Sequence, residues 1–579
     1  MFQDLHQLFK EDWDFEMQDN PEFASQAGLQ TATSGHCLQD VSEAGYEARK
    51  EHSARMLEKM ATVDFTLFSS DDARVFAPLF VQMHRDIVEN VKHCPVFFFP
   101  INSMGYGGVC YSFLESIEWM PFETLSDYDA LLARVRSAPL QLQQFTSVMR
   151  AGMEKKMVAS TAMLRGVEAQ LEEIISGDFP EVRAPLALPL ASGLTTEKMA
   201  EFEAAITSLK FAFECFLNFF HDEYLPCATF DPSVSALPGG ERIYEQCLRY
   251  HTSTDMSPDA IHLDGLTEVA RIEKRYVDDV LTPLGYKPDE FEKFVEFVRT
   301  DKQFYVSSSA ELLSKYKEMC AKISKILPDY FNEIPTSPLD IVEKSVGPAA
   351  YYLAGTADGS RPGKFSVNCS DIDQRPLYEM VALSLHEANP GHHHQCSVVL
   401  ESSSLPDFMR LFEDRRYEVG GARRSMQTAY IEGWGLYCEY LGEEMGLYTT
   451  PYDLFGRLSM EMMRAVRLVV DTGIHHKGWS LDRAIDYMMQ KTGMHRHEVE
   501  TEIYRYATWP GQATAYKIGE MAIKKYRHMA ECELGSKFNI KDFHTAVLKF
   551  GPVPLTTLQN LVQHYINAVG PEADDNVQD

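Results

Sequence analysis

Residues 383–395 read LSLHEANPGHHHQ, and this stretch places four of the chain's histidines within nine residues. Two histidines that share a zinc ion often lie one helical turn apart, with a glutamate following the first, in the pattern HExxH. Here His386 is followed by His392 six residues later, with a proline and a glycine between them. A metal site in this stretch therefore requires an interrupted helix.

The helical geometry decides which histidine can join His386. Six residues of unbroken helix turn through about 600°, which places His392 on the wrong face. His393 returns to the right face but lies about 10.5 Å along the axis, too far for two imidazoles to share an ion at about 2.0–2.1 Å. Pro390 and Gly391 predict a local bulge, and a bulge that absorbs two residues brings His392 one turn after His386. We therefore favour His392 over His393, with a solvated His-rich loop as the alternative.

The segment 430–439, YIEGWGLYCE, supplies candidate carboxylates. Glu432 and Glu439 are seven residues apart, on one face of a predicted helix among aromatic residues. A carboxylate in apolar surroundings must be paired or must coordinate something. Glu432 would complete a His2Glu site with an open position for water. Alternatively, Glu432 caps a helix or pairs with Arg423 or Arg424.

A second histidine-bearing segment follows at 464–479, RAVRLVVDTGIHHKGW. Arg467, Asp471 and His475 form one stripe of a helix. Asp471 could orient His475, which could then stabilise an oxyanion or donate a proton to a leaving amine. The alternative is a surface ladder of salt bridges, which the apolar neighbours disfavour.

The segment 505–517, RYATWPGQATAYK, is a candidate for substrate binding. Its Arg505, Tyr506, Tyr516 and Lys517 could grip a substrate carboxylate or backbone, because arginine pairs with carboxylates through two parallel hydrogen bonds. Tyr506 is also a candidate oxyanion donor. The alternative is a proline–glycine turn with its aromatic residues in the core.

The rest of the chain is predicted to be mostly α-helical. Helical spacing covers 127–177, 192–223, 257–284 and 480–493, with linkers at 180–192 and 335–338 and a buried helix at 378–385. A glycine-rich turn followed by KFSVN at 364–368 predicts a strand of a small β-sheet beside the histidine-bearing helix. We expect a helical N-terminal lobe over 1–345, a metal-binding catalytic lobe over 346–579, and a deep cleft between them.

Composition narrows the possible functions. The chain has 579 residues, with 54 Lys and Arg against 85 Asp and Glu, a net charge of −31. This charge disfavours nucleic acid and anionic membranes as partners. Eleven cysteines without a CxxC pair fit a reducing compartment. No signal peptide or membrane span is recognised, so a cytoplasmic protein is expected.

Several of these segments together resemble the domain-of-unknown-function family 885, regarded as zincin-like metallopeptidases. The resemblance rests on HEANPGHHHQ, YIEGWGLYCE, RLVVDTGIHHKGWS (467–480), the Pro-Gly-Gln turn (510–512), DGSRPGKFSVN (358–368) and, more weakly, GGERIYEQCLRYHTS (239–253). It implies a mostly helical zincin-like fold and one zinc ion at His386, His392 and Glu432. It also implies Glu387 as the general base, but it supplies no substrate.

The expected function is hydrolysis of peptide bonds, in short peptides, by a carboxypeptidase, dipeptidase or oligopeptidase. The strand that ends at Asn368 is expected to pair with an extended peptide substrate, and Glu439, His393 and Asp471 are expected to support the site. One alternative is a metal-dependent hydrolase of non-peptide amides. Another is a non-catalytic scaffold in which Glu439 or His393 is a fourth metal ligand. The sequence predicts no oligomeric state.

Overall fold

The computed structural model describes residues 4–29, 38–69, 71–93, 99–102, 104, 112–345, 349–357, 359–370, 372–414 and 424–570. Within these ranges no helix has both the length and the apolar character needed to cross a bilayer.

The described part of the chain is mostly α-helical, as the sequence predicts. Its α-helices in chain order are α1 (Leu5–Asp19), α2 (Pro21–Gln26), α3 (Glu43–Met60), α4 (Ala77–His93), α5 (Ser112–Glu118), α6 (Leu125–Glu154), α7 (Val167–Gly177), α8 (Pro180–Leu186), α9 (Thr196–Phe219), α10 (Gly240–Thr252), α11 (Pro258–Arg275), α12 (Phe291–Thr300), α13 (Ser309–Ser324), α14 (Met380–Glu387), α15 (His392–Leu400), α16 (Asp407–Arg410), α17 (Thr428–Glu444), α18 (Pro451–His475), α19 (Leu481–Lys491), α20 (Arg496–Thr508), α21 (Ala515–Leu534), α22 (Ile540–Leu548) and α23 (Leu555–Val569).

Two helices begin where their capping residues predict. The Ser257 side chain accepts a hydrogen bond from the Ala260 backbone N–H at the start of α11, and Pro258 occupies the first turn, where its missing N–H costs nothing. Ser480 caps α19 in the same way through the backbone N–H of Arg483. Local hydrogen bonding fixes both starts, so they could be predicted without tertiary information.

Two sequence predictions about the N-terminal half have different outcomes. The segment 127–177, predicted to have helical spacing, contains two helices, α6 and α7. The predicted linker 180–192 is mostly ordered: Pro180 opens α8, and a 3-10 helix begins at Pro189. Proline is tolerated in the first turn of a helix, so a proline-rich composition does not by itself indicate a linker.

The three strands form one small sheet. They are β1 (Leu339–Lys344), β2 (Ala350–Leu353) and β3 (Gly363–Asn368), in the order β1-β3-β2. β3 pairs parallel to β1 and antiparallel to β2, with Phe365 opposite Ile341 and Tyr352. The predicted strand therefore exists, but it is the central strand, so the expectation that it offers a free edge to a peptide is wrong.

Helices α17 and α18 lie in the interior and carry the polar residues that matter below. Most of the residues in α18 are buried, including a row of charged side chains from Arg457 to Asp471. The main apolar cluster includes residues from Leu5 in α1 to Ile566 in α23. This cluster includes described residues on both sides of position 345, and the division into two lobes and the cleft between them stay predictions.

Candidate metal centre

The helix that carries His386 is interrupted, as the sequence predicts. Helix α14 ends at Glu387 and α15 begins at His392. The backbone at Gly391 comes so close to α14 that a Cβ atom there would lie 1.8 Å from the His386 carbonyl oxygen. This close approach leaves no space for a side chain at position 391.

Helix α17 holds this turn and brings in the third residue of the cluster. The indole N–H of Trp434 donates to the carbonyl oxygen of Pro390, at 2.8 Å. Two residues earlier, one oxygen of Glu432 lies 3.4 Å from Nε2 of His386 and 3.4 Å from Nε2 of His392. We call His386, His392 and Glu432 the candidate metal cluster. One ligand atom from each lies within 4.8 Å of the other two, and all three side chains are buried.

The spacing of the cluster fits a divalent cation. Ligand atoms at about 2.0–2.1 Å from a tetrahedral metal lie about 3.3–3.4 Å from one another. The two measured contacts from Glu432 have this length, which exceeds that of a normal N–H···O hydrogen bond. The residue types are the nitrogen and oxygen donors that zinc accepts, so the donor set fits the group that the sequence predicts.

Both ring nitrogens of His386 face carboxylates of α17. Nδ1 donates to Oε1 of Glu439 at 2.8 Å, which leaves Nε2 directed at Glu432. Gly435 lies halfway between the two glutamates, and a Cβ atom there would lie 2.7 Å from Cε1 of His386. Burial lowers the pKa of His386, but interaction with Glu432 and Glu439 outweighs it and raises the pKa to about 10. The cluster thus attracts positive charge at this point.

Glu387 lies at the end of α14, directly after the first candidate ligand. It is 7% exposed, whereas the residues of the candidate metal cluster are 1–2% exposed. Its negative charge acts on His386. Glu387 is therefore less completely buried than the candidate ligands and Glu439.

The next two histidines turn away from the cluster. His393 hydrogen-bonds to the Tyr352 hydroxyl of β2 at 3.2 Å and to the Ser337 carbonyl oxygen at 3.1 Å. Its predicted supporting contact with the metal site is therefore not formed. His394 packs against Phe331, and burial lowers its pKa to about 3.

The alternative pairing of Glu432 with Arg424 is wrong, because Arg424 forms its ion pair with Asp12. Arg423, the other candidate partner, lies outside the described residues.

The predicted pairing of Asp471 with His475 is wrong. Asp471 accepts hydrogen bonds from the Tyr244 hydroxyl at 2.7 Å and from the Gly511 backbone N–H. The Val234 backbone N–H donates to Nδ1 of His475, and Nε2 donates to the Tyr506 carbonyl oxygen at 2.9 Å. Since both ring nitrogens are occupied by backbone groups, His475 is not available as an oxyanion donor. We call Asp471, His475 and these partners the α18 histidine pocket.

Tyr506 is also held by neighbouring side chains. Its hydroxyl donates to Glu502 at 2.6 Å and accepts from Nε of Arg467 at 2.9 Å, and the residue is 1% exposed. Its predicted role as an oxyanion donor would require these bonds to break. Arg505 donates to the Tyr516 hydroxyl at 3.0 Å, so these two predicted substrate-binding residues do lie together.

Two further predicted substrate-binding residues are structural. Lys517 is fully buried and its ammonium contacts Glu461, Glu520 and Glu268 at 2.6–2.9 Å, so it cannot reach a substrate. Asn368 ends the central strand, and its side-chain oxygen accepts from the backbone and hydroxyl of Ser370. Buried polar groups need such partners, and both residues have theirs within the fold.

The structure adds one residue beside the site, Arg464. Its Nη2 lies 3.9 Å from the Glu439 oxygen that binds His386. Arg464 lies three residues before Arg467 on α18, so helical spacing puts it on the same stripe. Its position between Met463 and Ala465, in an otherwise apolar segment, is the sequence signal for a buried charge.

Comparisons with known proteins identify relatives but no activity. The family described as "Bacterial protein of unknown function (DUF885)" matches residues 21–562. No protein in a curated collection matches the chain. One similar crystal structure is that of a "putative lipoprotein" from Colwellia psychrerythraea, 26% identical, with a TM-score of 0.87 over 97% of this chain and 99% of that chain. Another, a "putative lipoprotein of unknown function" from Shewanella oneidensis, is 18% identical, with a TM-score of 0.74 over 97% and 100% of the two chains.

Proposed function

The chain belongs to the DUF885 family, and because that family's description assigns no function, we propose from its own side chains that it is a zinc-dependent hydrolase of peptide bonds in short peptides. The observation that carries the proposal is the candidate metal cluster, in which two imidazoles and a carboxylate offer ligand atoms within 4.8 Å of one another. The zincin-like fold and the cytoplasmic location stay predictions.

The cluster would hold the ion through Nε2 of His386, Nε2 of His392 and Oε2 of Glu432. A divalent cation in a three-ligand site supplies a Lewis acid that polarises a carbonyl group and brings the pKa of water toward about 7. Glu439 fixes the ring of His386 through Nδ1, as carboxylates do for metal-binding histidines, and so keeps Nε2 directed at the ion.

Glu387 would act as the general base. Its carboxylate would take a proton from the water that attacks the scissile carbonyl carbon. It would then deliver that proton to the amine nitrogen as the carbon–nitrogen bond breaks, so that one water is consumed and one amine is released. The structure supports this role by placing Glu387 next to His386 with a larger exposed fraction than the ligands.

A catalytic site fits better than a metal that only holds the fold together. A structural zinc site normally has four protein ligands, and the two candidates for the fourth were Glu439 and His393. Glu439 binds the outer nitrogen of His386, and His393 bonds to Tyr352 and Ser337. Among the residues that the structure describes, three side chains offer ligand atoms at this point, so a bound ion would keep a position for water.

The test combines elemental analysis with a peptide digest. We expect one divalent ion per chain and hydrolysis of short peptides that a chelator abolishes and added zinc restores. Glu387→Gln should keep the ion, while kcat falls by about 10²–10⁴-fold because the proton acceptor is lost.

The matched control is Glu401→Gln, at the far end of α15, where Glu401 caps backbone N–H groups of Thr336 and Ser337. This variant should keep both metal and activity. Full activity of Glu387→Gln, or purified protein that takes up no divalent ion, would refute the proposal. A panel of non-peptide amides separates peptide hydrolysis from the alternative amide hydrolase.

A further inference from the structure

Three arginines surround one aromatic ring beside the candidate metal cluster. The guanidinium carbons of Arg467, Arg464 and Arg505 lie 4.5, 5.9 and 5.9 Å from the centre of the Tyr516 ring. Glu502 forms ion pairs with two of them, Arg467 and Arg505. Positive charge thus collects at one buried point of a chain whose net charge is −31.

Arg464 and Arg467 carry donors that the described residues leave unused. Nη1 of Arg464 donates to the Met460 carbonyl oxygen, but its Nε is buried without a partner and its Nη2 lies 3.9 Å from Glu439. Nη1 of Arg467 is likewise buried without a partner. The two residues are 6% and 3% exposed. Buried guanidinium donors are normally paired, and these two arginines keep N–H groups that could donate to a bound anion.

The carboxyl groups near Arg464 do not pair closely with it. The Glu439 oxygen at 3.9 Å already accepts from His386 and lies beyond hydrogen-bond distance of the guanidinium. Glu379, at the start of α14, also interacts with Arg464. Burial, with the charge of Glu498, raises the pKa of Glu379 to about 8, so it is mostly uncharged at neutral pH.

The location relative to the cluster identifies the ligand. One oxygen of Glu439 contacts both Nδ1 of His386 and Nη2 of Arg464, so the arginine lies one carboxylate away from a candidate metal ligand. An anion held at this distance would belong to the same substrate as a carbonyl group at the metal. A planar guanidinium matches the two oxygens of a carboxylate.

We propose that Arg464 and Arg467 form a subsite for the free C-terminal carboxylate of a short peptide, which makes the chain selective for peptides cleaved near that end. This inference rests on the proposed hydrolase function for its substrate, but its test also reads binding alone. Arg505, bonded to Gln512 and Tyr516, orients the ring between the two arginines rather than meeting the peptide.

The experiment compares a mixed library of N-acetylated tripeptides with the same library as C-terminal amides. Binding to zinc-loaded Glu387→Gln protein is measured by calorimetry, and kcat/KM is measured with the active protein. We expect the free acids to bind about tenfold or more tightly than the amides, because a hydrogen-bonded charge pair replaces a neutral contact. Arg464→Gln should bring this ratio close to one and leave amide binding unchanged, whereas Arg464→Lys should restore part of it.

The matched control is Arg496→Gln, because Arg496 is an exposed arginine of α20 paired with Glu500. It should leave the ratio unchanged. Equal binding of acids and amides, no binding of either, or an equal loss of both in Arg464→Gln would overturn the subsite. If Arg464→Gln does not fold, Arg467→Gln replaces it with the same criterion.

The outcomes separate the two proposals. Chelator-sensitive hydrolysis without a preference for free acids would leave the hydrolase standing and remove the subsite. Selective binding of free acids without hydrolysis would support the subsite and remove the hydrolase proposal.

Discussion

The candidate metal cluster and the α18 histidine pocket are both buried combinations of histidine and carboxylate, yet their chemistry differs. In the cluster, the ring nitrogens of His386 face two side-chain carboxylates, and its pKa is raised to about 10. In the pocket, both nitrogens of His475 bond to backbone groups, and burial lowers its pKa to about 4. The first arrangement attracts a cation, whereas the second fixes a neutral ring.

The difference shows that the ability of a buried histidine to bind a ligand depends on the group that its second ring nitrogen contacts. A backbone N–H or carbonyl group fills one hydrogen-bonding position and leaves nothing for a ligand. A carboxylate shared between two imidazoles at 3.4 Å leaves a gap of the size that a small divalent ion fills. Both regions combine buried histidine with a buried carboxylate, so residue type does not separate them and the partners of the ring nitrogens do.

The strongest test of the difference between the two regions is to neutralise one carboxylate in each of them. Glu432→Gln keeps the shape of the side chain but removes the charge that the ion requires. We expect zinc affinity to fall by well over 100-fold, beyond the range of about 10–100-fold seen when only an outer partner of a ligand is lost, and hydrolysis to disappear with it. Metal titration with a competing chelator measures the loss.

Asp471→Asn is the counterpart in the α18 histidine pocket. The asparagine oxygen can still accept from Tyr244 and Gly511, so zinc affinity should stay as in the unaltered chain. If both variants lost zinc equally, or if Glu432→Gln kept it, the distinction between the two regions would be wrong.

Much of the fold could be predicted from the sequence, because interactions between residues close together in the chain determine it. The hydroxyls of Ser257 and Ser480 cap their own helices, and the alternation of KFSVN predicts β3. The central position of β3 in the sheet could not be predicted from the sequence, because pairing with β1 and β2 depends on residues more than ten positions away.

The candidate site likewise has features that nearby residues determine and features that distant residues determine. The proline–glycine interruption predicts the convergence of His386 and His392, because both lie in one short stretch. The roles expected for His475 and Lys517 fail because their partners come from distant elements: Val234 bonds to the histidine, and Glu461 and Glu268 surround the lysine. Spacing along a helix shows which face a residue occupies but not what packs against that face.

The pH dependence of the free energy of unfolding tests whether His475 is held neutral in the α18 histidine pocket. His475 has a pKa lowered to about 4 in the folded chain, against 6.5 for an unperturbed histidine. The unfolded state binds this proton more tightly than the folded state. The contribution of His475 to the free energy of unfolding is therefore intact above about pH 6.5. It is lost as pH falls toward 4, by up to about 3 kcal/mol. His475→Gln should flatten this part of the unfolding curve, measured by denaturant titration with a chelator present.

That substitution has a cost at neutral pH, where it leaves the Val234 N–H without its acceptor and lowers the free energy of unfolding by about 1–3 kcal/mol. His221→Gln, at an exposed histidine paired with Glu168, should change neither quantity. An unchanged pH profile in His475→Gln would show that His475 is not held neutral in the folded chain.

The smallest effect concerns one hydrogen bond to a side chain of each region. Glu439→Gln can still accept a hydrogen bond from Nδ1 of His386 but removes the negative charge that strengthens Nε2 as a ligand, so we expect zinc affinity to fall by about tenfold. Tyr244→Phe removes the hydroxyl that donates to Asp471 in the α18 histidine pocket and should leave zinc affinity unchanged. Competition titrations on both variants give the comparison directly. A loss from Tyr244→Phe as large as that from Glu439→Gln would mean that the two regions are coupled through α18, and that a carboxylate behind the ring is not what distinguishes the metal-binding histidine.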